Sequence, residues 1–339
     1  MATAAYCGRM ERTTRPIRRG TTVAALLLLI GIVGAWKPAD SYSPSSLQPW
    51  VAAGPSPDHV QAASTAASVP RTASGVPRFR HVYLIVMENR EYGAIVGNTN
   101  APYINSLIAG YGLATNYHAI THPSQPNYFA LFAGRTFGIR DNRVHNITAR
   151  NLTNQLRDKG RTWRVYAQNV PDGCYTGKAA SGGVDLVGLP GWYVRKHEPA
   201  ISFTNISRHP LRCTRITQLA NFSPTAADFE LVIPNLSNDM HDGTIAQGDA
   251  FLKAFVPRIT EDPSFAESLL LITWEEGTTN RGGGGRVATI VVSPEAKQGF
   301  RSSISHNHYS LLRTIQRAWG LGCLNHTCGS NDLREFFVP

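Results

Sequence analysis

The stretch HVYLIVMEN, residues 81–89, decides the fold class of this 339-residue chain. It is an almost continuous apolar run of strand length that ends in two polar residues, Glu88 and Asn89. A short apolar run of this kind is typical of a strand buried on both faces, and such strands belong to parallel sheets that helices cover. The stretch therefore predicts a central strand of an α/β domain with polar side chains at its carboxyl end.

Apolar runs of the same kind recur along the chain, separated by helical segments. Further strand-like runs are TWRVYAQ (162–168), FELVIPN (229–235), SLLLITWEE (268–276) and RVATIVVSP (286–294). Segments of helical character are PYINSLIAG (102–110), QPNYFALFAG (125–134), GDAFLKAFVPRI (248–259) and HYSLLRTIQRAWG (308–320). This alternation predicts one α/β domain over residues 78–339, with a mostly parallel sheet and helices on both faces.

The N-terminal part of the chain differs in character from this domain. Five arginines between Arg9 and Arg19 precede the apolar run TTVAALLLLIGIVGAW (21–36), in which Val33 and Ala35 offer a plausible cleavage point before Trp36. The pattern predicts a signal peptide over residues 1–36; the alternative is an uncleaved signal anchor, which would tether the chain to a membrane. Residues 37–77 are rich in Ala, Ser and Pro without a hydrophobic period, which predicts a disordered linker. We therefore expect the domain to be secreted or exposed at the cell surface.

The cysteines agree with an oxidising compartment. Cys7 lies in the predicted signal segment, which leaves Cys174, Cys213, Cys323 and Cys328 in the domain. An even number of cysteines in an exported domain indicates disulfides, and we expect the pairs Cys174–Cys213 and Cys323–Cys328. The stretch inside the first pair has no clear period and is interpreted as an excursion over the site. Zinc binding is the alternative, but the sequence has no C-x-x-C spacing.

The charge of the chain suits an anionic substrate better than nucleic acid. The formal net charge is +10, but residues 1–80 carry nine Lys or Arg and three acidic residues, a net of +6, which leaves +4 for residues 81–339. No dense basic patch with interleaved aromatic residues occurs in the sequence. A nucleic-acid interface requires such a patch, so we expect no nucleic-acid partner.

Polar residues gather where the predicted strands end or in the loops that follow, which is where ligands bind in open parallel sheets. The candidate site residues at these positions are Glu88, Asn89, His122, Ser124, Asp239, His241, Glu275, Glu276 and His308. Taken singly, each also has a plain structural explanation, such as an ion pair, a helix cap or a solvated turn. Two strands end directly in carboxylates, however, and neighbouring carboxylates repel unless a proton or cation separates them. Oxygen and imidazole ligands from separate loops predict a divalent metal site.

Ser124 lies between two prolines at the predicted start of a helix, in HPSQPNYFALFAG (122–134). The simplest interpretation of this serine is a helix N-cap. The alternative is a nucleophile, because a hydroxyl at a helix N-terminus lies beside free backbone N–H groups that suit a phosphate, and metal coordination would lower its pKa. A conventional serine hydrolase is disfavoured because the sequence has no G-x-S-x-G elbow.

Five segments of the chain together resemble the phosphoesterase family of bacterial acid phosphatases and phospholipases C, within the alkaline phosphatase superfamily. They are HVYLIVMENREY (81–92), HPSQPNYFALFAG (122–134), NDMHDG (238–243), ITWEEG (272–277) and HNHYSLLRTIQRAWGL (306–321). The resemblance extends over residues 80–322. It implies an alkaline-phosphatase-like fold, a divalent metal ion as cofactor, and hydrolysis of phosphoric esters on a phosphorylated small molecule or lipid.

The resemblance also implies roles for individual residues. Ser124 matches the nucleophile, which forms a phosphoseryl intermediate that water then cleaves. The implied metal ligands are Glu88, Asn89, Ser124, Glu275 and Glu276. The implied substrate contacts are Asn89, His122, Asp239 and His308. For His241 we predict a phosphate contact or the acid that protonates the leaving group. In one departure, the family is expected to have at least one Asp at the pair Glu275–Glu276, so the identity of the metal stays open.

The sequence leaves alternatives for the substrate and for the role of a glycine-rich segment. A monoester hydrolase is preferred over a phospholipase C-type phosphodiesterase, for which Trp192, Tyr193 and Phe203 could form an apolar entrance. A non-catalytic cell-surface protein on the same scaffold is a third interpretation. The run NRGGGGR (280–286) could cradle a phosphate, but it lacks the Lys and Ser/Thr of a P-loop. We therefore expect it to be a flexible connection.

Overall fold

The computed structural model of the protein describes residues 69–171, 174–184 and 190–337. The predicted signal peptide or anchor lies outside these ranges, so it stays a prediction. Among the helices of the described residues, none is long and apolar enough to cross a membrane.

The predicted linker is shorter at its C-terminal end than the sequence indicated. Residues 69–77, which we expected to be disordered, form a turn that packs on the domain. The side chain of Val76 is fully buried, and Arg71 forms an ion pair with Glu295 at 3.5 Å. This segment has few apolar residues and therefore no period, which is why its composition assigned it to the linker. The rest of the predicted linker lies outside the described residues.

The strands of the described residues are short, and the longest follow the apolar runs of the sequence. In chain order they are β1 (His81–Met87), β2 (Gly112–Ala114), β3 (Tyr117–His118), β4 (Trp163–Ala167), β5 (Ala179–Val184), β6 (Pro190–Val194), β7 (Ile216–Gln218), β8 (Phe229–Ile233), β9 (Ser268–Trp274), β10 (Thr289–Val292), β11 (Arg301–Ser302) and β12 (His306–Asn307). All residues of β1, β8, β9 and β10 are buried, as their continuous apolar character predicts.

The helices of the described residues include the four that the sequence predicted. They are α1 (Tyr92–Ile95), α2 (Pro102–Gly110), α3 (Ser124–Ala133), α4 (Leu152–Asp158), α5 (Thr204–Ser207), α6 (Pro210–Cys213), α7 (Ile245–Phe255), α8 (Pro257–Thr260) and α9 (His308–Ala318). Short 3-10 helices occupy Arg195–His197, Ala200–Ser202, Leu219–Asn221, Pro263–Glu267, Asn325–Gly329 and Arg334–Phe336. The predicted helix over 248–259 is interrupted before α8, because Pro257 has no N–H to continue α7.

Eight strands form one sheet in the order β11-β2-β10-β9-β1-β8-β4-β7. Every neighbouring pair is parallel except the two pairs that β10 forms, with β2 and with β9. The strand β10 is antiparallel because the chain returns from β9 without a crossover helix, which a parallel connection needs. The predicted α/β class with a mostly parallel sheet is confirmed.

Helices and loops cover both faces of this sheet. Side chains alternate between the two faces of a strand, so complete burial of β1, β8 and β9 requires cover on both. Helix α2 packs against α7, and α3 packs against α9. The covered faces leave the carboxyl edge of the central strands as the place where polar side chains gather.

Both predicted disulfides are present. Cys174 is bonded to Cys213, with Cα atoms 5.0 Å apart, and Cys323 is bonded to Cys328, with Cα atoms 4.9 Å apart. The first joins the chain before β5 to α6, and the second closes a short loop after α9. Because all four cysteines of the domain are used, the zinc alternative is excluded.

Candidate active site

Three neighbouring parallel strands bring carboxylates to one edge of the sheet. Glu88 follows β1, Glu275 follows β9, and Asp239 lies in the loop after β8; each is at most 1% exposed. Backbone hydrogen bonds join these loops, from Glu88 N to the carbonyl of Asp239 at 2.8 Å and from Glu275 N to the carbonyl of Met87 at 2.9 Å. Because β8, β1 and β9 are adjacent and parallel, the side chains that follow them converge.

Ser124 is the first residue of α3, and its hydroxyl does not cap that helix. Pro123 occupies the N-cap position, and no side chain caps the helix. The Ser124 side chain is buried, and its Oγ donates to Oε1 of Glu276 at 3.3 Å. The capping interpretation of this serine is therefore wrong, and the hydroxyl is directed at the carboxylate cluster.

Glu276 is held by a small network around Ser124. Its Oε2 accepts from His122 Nδ1 at 2.8 Å and from Asn127 Nδ2 at 3.4 Å. The other ring nitrogen of His122 lies 2.9 Å from the carbonyl of Thr279. Each ring nitrogen of His122 therefore faces an oxygen atom, which fixes the ring beside Glu276.

Asn89 joins the two glutamates of the predicted metal pair. Its backbone has a positive φ of 46°, a conformation that asparagine adopts more readily than most residues. Its backbone N donates to Glu275 Oε2 at 3.1 Å. With the amide nitrogen turned towards the carboxylates, Asn89 also donates to Glu275 Oε1 at 2.8 Å and to Glu276 Oε1 at 3.1 Å. In the opposite orientation, the amide oxygen would face the same carboxylates. That arrangement is the one expected if Asn89 and the two glutamates bound one cation together.

His197 connects Asp239 to Glu88 in the interior of the cluster. Burial, reinforced by the charge of Lys196, holds the pKa of His197 well below its usual value, so the ring is neutral. Its Nδ1 donates to Asp239 Oδ2 at 3.2 Å. The unprotonated Nε2 therefore faces Glu88 Oε1, 3.2 Å away. Two acceptors this close require a proton on the glutamate or a cation near both.

Tyr128 fixes the other side of Glu88. Its hydroxyl donates to Glu88 Oε1, and its ring stacks on that of His197 with centroids 5.5 Å apart. Burial, with repulsion from Glu88, raises the pKa of Tyr128 far above neutral, so it remains a donor. Residues four apart lie on one face of a helix, so α3 presents Ser124 and Tyr128 to the same cluster.

His241 lies at the solvent side of the cluster. Its Nδ1 donates to Asp242 Oδ1 at 2.6 Å, and Lys196 Nζ donates to its Nε2 at 3.0 Å. A nitrogen that accepts a hydrogen bond carries no proton, so this arrangement does not support His241 as the acid for the leaving group. The lone pair of Nε2, which accepts from Lys196 here, is also the atom of His241 that could bind a cation.

Burial raises the pKa of every carboxylate in the cluster. Repulsion adds to this effect, from Asp239 on Glu88 and from Glu88 on Glu275. The pKa of Asp239 is also raised by burial, and that of Glu276 is raised less because His122 opposes the effect. Burial and mutual repulsion therefore both oppose the charged form of these carboxyl groups. A divalent cation removes that penalty by displacing the protons.

The donor atoms fit such a cation. Glu88, His197 and His241 each offer one ligand atom, and the three atoms lie within 4.8 Å of one another. Glu88 Oε2 and His197 Nε2 are buried without a hydrogen-bond partner among the described residues. Carboxylate oxygen and imidazole nitrogen are common ligands of divalent metals. Of the ligands that the sequence predicted, Glu88 belongs to this group, and a chain of contacts joins Ser124, Glu276, Asn89 and Glu275 beside it.

His308 does not have the substrate contact that the sequence predicted. The side chain is fully buried, its Nε2 donates to the carbonyl of Glu275 at 2.6 Å, and Tyr117 donates its hydroxyl to Nδ1 at 2.9 Å. Burial lowers the pKa of His308 to about 4, so the ring is neutral. Neither nitrogen is left for a ligand, and the residue instead holds the backbone of Glu275.

The glycine-rich run 280–286 is neither a phosphate cradle nor a loose connection. A Cβ on Gly283 would lie 2.1 Å from the carbonyl oxygen of Ile120, so only glycine allows this close approach. Glu91 accepts from the backbone N of Thr278 at 2.9 Å and ties the start of the loop to the chain after β1. The loop is therefore a packed wall of the site.

Sequence reasoning missed several residues that the fold brings to the site. They are Asn127, Tyr128, Lys196 and His197. Asn127 and Tyr128 are part of α3, an apolar helix, so from sequence alone they resemble core residues. Lys196 and His197 lie inside the stretch that the Cys174–Cys213 disulfide closes. The sequence indicated their role only through the interpretation of this stretch as an excursion over the site.

Comparison with known proteins agrees with this geometry. Residues 98–322 match the model of the phosphoesterase family. The chain belongs to the phosphoesterase family. It is a hydrolase that acts on phosphoric ester bonds, so the interpretation as a non-catalytic protein is disfavoured.

Curated relatives of this phosphoesterase are named as phosphatases. A phosphatidylinositol-3-phosphatase of Mycobacterium tuberculosis is 34% identical over 318 residues, which cover 92% of this chain and 93% of the relative. An acid phosphatase of Aspergillus fumigatus is 27% identical over 268 residues, which cover 75% of this chain and 58% of that protein. The predicted family is confirmed by these relatives.

A solved structure shares the fold of this phosphoesterase. It is the lipoteichoic acid synthase LtaP of Listeria monocytogenes, with a TM-score of 0.50 and 8% identity, over 75% of this chain and 76% of that chain. A protein of the alkaline phosphatase superfamily from Vibrio parahaemolyticus gives a TM-score of 0.48 and 10% identity, over 74% and 69% of the two chains.

Proposed function

We propose that this phosphoesterase is an exported, metal-dependent phosphate monoester hydrolase with Ser124 as its nucleophile. The observation that carries the proposal is the direction of the Ser124 hydroxyl. It is buried at the first turn of α3 and donates to Glu276, whereas a structural serine at a helix start would accept from a backbone N–H. A buried hydroxyl that faces a carboxylate has a group that can take its proton.

A divalent cation is proposed to bind where the carboxylates and imidazoles meet. Glu88, His197 and His241 offer ligand atoms at suitable separations, and Glu275 and Glu276 lie next to them. When bound, the cation would act as a Lewis acid that offsets the charge of the phosphoryl oxygens. The pair of glutamates leaves the identity of the metal open.

The reaction that we propose has two displacements at phosphorus. Ser124 Oγ attacks the phosphorus atom while its proton passes to Glu276, and the bond from phosphorus to the leaving oxygen breaks. Lys196, which donates to His241 at 3.0 Å, is assigned as the proton donor to that oxygen. Water then attacks the phosphorus atom and gives a proton to Lys196, while the bond from phosphorus to Ser124 Oγ breaks and Glu276 returns its proton to that oxygen. Inorganic phosphate is released.

The exposure of three aromatic residues favours monoesters over lipid diesters. Tyr193 and Phe203 are 2% and 0% exposed, and only Trp192, at 52%, reaches the surface. These residues therefore do not form the broad apolar entrance that a phospholipase C needs for acyl chains. The relative named as a phosphatidylinositol-3-phosphatase adds phosphoinositide headgroups to the candidate substrates, because a 3-phosphate on inositol is also a monoester.

Export is proposed from two independent features. The N-terminal sequence has the basic and apolar regions of a signal peptide, and the domain has two disulfides, which persist in oxidising compartments. Whether the segment is removed or retained as an anchor decides between a secreted enzyme and a tethered one. Mass determination of the mature protein distinguishes these outcomes.

The substitution Ser124→Ala tests the nucleophile. We expect turnover of p-nitrophenyl phosphate to fall by about 10³-fold or more, with an unchanged melting temperature, since only the attacking atom is removed. Ser202→Ala is the matched control, because Ser202 is equally buried and its hydroxyl has no partner among the described residues. Acid-quenched wild-type enzyme should yield a phosphorylated peptide that contains Ser124. Turnover that survives in Ser124→Ala would remove this residue from the mechanism.

A further inference from the structure

A cavity of about 360 Å³ adjoins the site, and of its lining residues only Lys196 has a part in the reaction described above. Its volume falls in the range of small-molecule sites, which begins at roughly 300 Å³. Gln125, the residue after Ser124 in α3, lines one side, and Lys196, whose ammonium group bonds to His241, lines another. The cavity therefore lies where the part of a substrate beyond its scissile phosphoryl group would extend.

Two buried polar atoms of this cavity's lining residues lack a partner. Gln125 is 1% exposed and Arg195 is 3% exposed, yet Gln125 Oε1 and Arg195 Nε make no hydrogen bond with the described residues. A buried polar atom without a hydrogen-bond partner lowers the stability of the folded state. In native proteins such an atom is usually paired with a ligand or a water molecule. One of these atoms is an acceptor and the other is a donor.

The guanidinium of Arg195 is fixed by neutral groups. Its two terminal nitrogens donate to the carbonyl of Thr176 at 2.7 Å and to the carbonyl of His145 at 2.9 Å. No carboxylate of the described residues is hydrogen-bonded to it. The positive charge of Arg195 is therefore held in place by neutral groups, and Glu198 acts on it without a hydrogen bond.

The rim of the cavity is also cationic. Lys178 is exposed there, and its ammonium group makes no hydrogen bond or ion pair with the described residues. Arg143 lies on the same rim and forms an exposed pair with Asp141 at 2.8 Å. Among the described residues, no carboxylate lines the cavity. A ligand that fills it gains from negative charge.

We propose that this cavity is a leaving-group subsite that selects phosphate esters of polyols bearing a second anionic group. The side-chain amide of Gln125 contacts a hydroxyl of the ligand, while the second anion lies near the positive charges of Arg195 and Lys178. The inference rests on the proposed function, since it requires Ser124 to receive the scissile phosphoryl group. A soluble sugar bisphosphate and the phosphorylated headgroup of an inositol lipid both have this chemistry.

The selectivity between a bisphosphate and a monophosphate tests the subsite. We expect wild-type kcat/KM for fructose 1,6-bisphosphate to exceed that for fructose 6-phosphate by about tenfold, because hydrogen bonds to charged groups have this magnitude. In Lys178→Ala this ratio should fall several-fold. Lys253→Ala is the matched control, since Lys253 is equally exposed on α7 and does not line the cavity. A ratio that falls equally in both variants would overturn the proposal, because it would reflect net charge alone.

Gln125→Leu tests the contact with the hydroxyl. The leucine removes an unpartnered buried amide, so the melting temperature should be no lower than that of the wild type. KM for fructose 6-phosphate should rise relative to KM for p-nitrophenyl phosphate, which has no hydroxyl on its leaving group. If KM rises equally for both esters, or for neither, Gln125 does not contact the polyol.

Assays on lipid vesicles distinguish a soluble sugar phosphate from a lipid headgroup as the ligand of the cavity. The ratio of turnover on vesicles that contain phosphatidylinositol 3-phosphate to turnover on p-nitrophenyl phosphate should also fall in Lys178→Ala if the headgroup uses this cavity. Hydrolysis of p-nitrophenyl phosphate that depends on Ser124 reports on the proposed function alone. Two results together would contradict the proposed subsite and leave the proposed function standing. The first is an active wild type that shows no preference for a second anion with either the sugar or the lipid substrates. The second is that calorimetry detects no binding of fructose 1,6-bisphosphate to Ser124→Ala.

Discussion

Two regions of the same sheet bury carboxylates, with different consequences. Glu230 lies inside β8, fully buried, and its Oε1 accepts from the backbone N of Ala227 at 3.0 Å. Burial raises its pKa to about 8, so a single proton keeps it neutral at physiological pH. At the carboxyl edge, Glu88 and Glu275 are equally buried, but each faces other carboxylates. One proton does not satisfy that arrangement.

The comparison teaches that burial alone does not mark a catalytic site. The neighbours of Glu230 are Tyr83 and Tyr166, whose pKa values burial raises to about 12, and the cation Arg164, which lowers its pKa. None of these is a second carboxylate. The neighbours of Glu88 include the unprotonated nitrogen of His197. Glu88 Oε1 and His197 Nε2 need a proton or a cation between them, and Glu230 faces no such second acceptor.

The largest expected effect separates the two regions directly. Glu88→Gln should lower kcat/KM for p-nitrophenyl phosphate by about 10³-fold, because it removes a ligand charge and leaves an amide beside His197. Glu230→Gln, the matched control, should change it by less than about threefold, since its carboxyl is already neutral. Steady-state kinetics at saturating metal measures both. Equal losses in the two variants would mean that burial, not the cluster, determines activity.

His197→Gln tests whether His197 contributes to the proposed metal site. We expect the affinity for a divalent cation to fall by about 10- to 100-fold, with activity partly restored at high metal concentration, as is typical when one contact of a metal site is lost. His326→Gln is the control, because His326 is an exposed surface residue. Titration of chelator-treated enzyme with metal gives both affinities. An unchanged affinity in His197→Gln would exclude this residue from the site.

His308→Gln should have a smaller effect, of about tenfold on kcat with little change in KM, because the side chain only holds the backbone of Glu275. The pKa of His308 is about 4, so its ring stays neutral and contributes no step to the pH profile between about pH 5 and 8. The kcat–pH profile of the wild type checks this. A large rise in KM in the variant would instead indicate a substrate contact.

The smallest effect is a pH dependence of stability. Carboxylates with raised pKa values bind more protons in the folded state than in the unfolded state, so the stability of chelator-treated enzyme should fall as pH rises above the usual carboxylate pKa of about 4.3. We expect the melting temperature to drop by several degrees between about pH 5 and 7.5, and added metal to reverse most of the drop. Differential scanning calorimetry measures it. A melting temperature that rises with pH in chelator would contradict the assigned shifts.

The strands and the carboxylates were predictable from sequence because both depend on local pattern. Continuous apolar runs predicted β1 and β9, and the residues directly after a parallel strand lie at its ligand-binding edge, which located Glu88 and Glu275. Ser124 was ambiguous, since a cap and a nucleophile have the same sequence signature. The direction of its hydroxyl excludes the cap and supports the nucleophile that we propose.

The rest of the site depends on contacts that no local pattern encodes. His197 reaches the cluster from an aperiodic segment that the first disulfide constrains, so its sequence position gave no role. His308 begins a helix in a polar motif and looks like a substrate contact, but the packing of α9 turns it towards the backbone of Glu275. The glycines of 280–286 suggested flexibility, whereas close backbone contacts require them.

The most direct test of the central claim is calorimetric titration of chelator-treated enzyme with Mg²⁺, Ca²⁺, Mn²⁺ and Zn²⁺ in buffers of different ionisation enthalpy. The account predicts saturable binding of a divalent cation with release of protons from the cluster. It also predicts binding at least about tenfold weaker in Glu88→Gln and unchanged in Glu230→Gln. Absence of binding by the wild type, or equal binding by Glu88→Gln, would contradict the claim that these carboxylates converge on a cation.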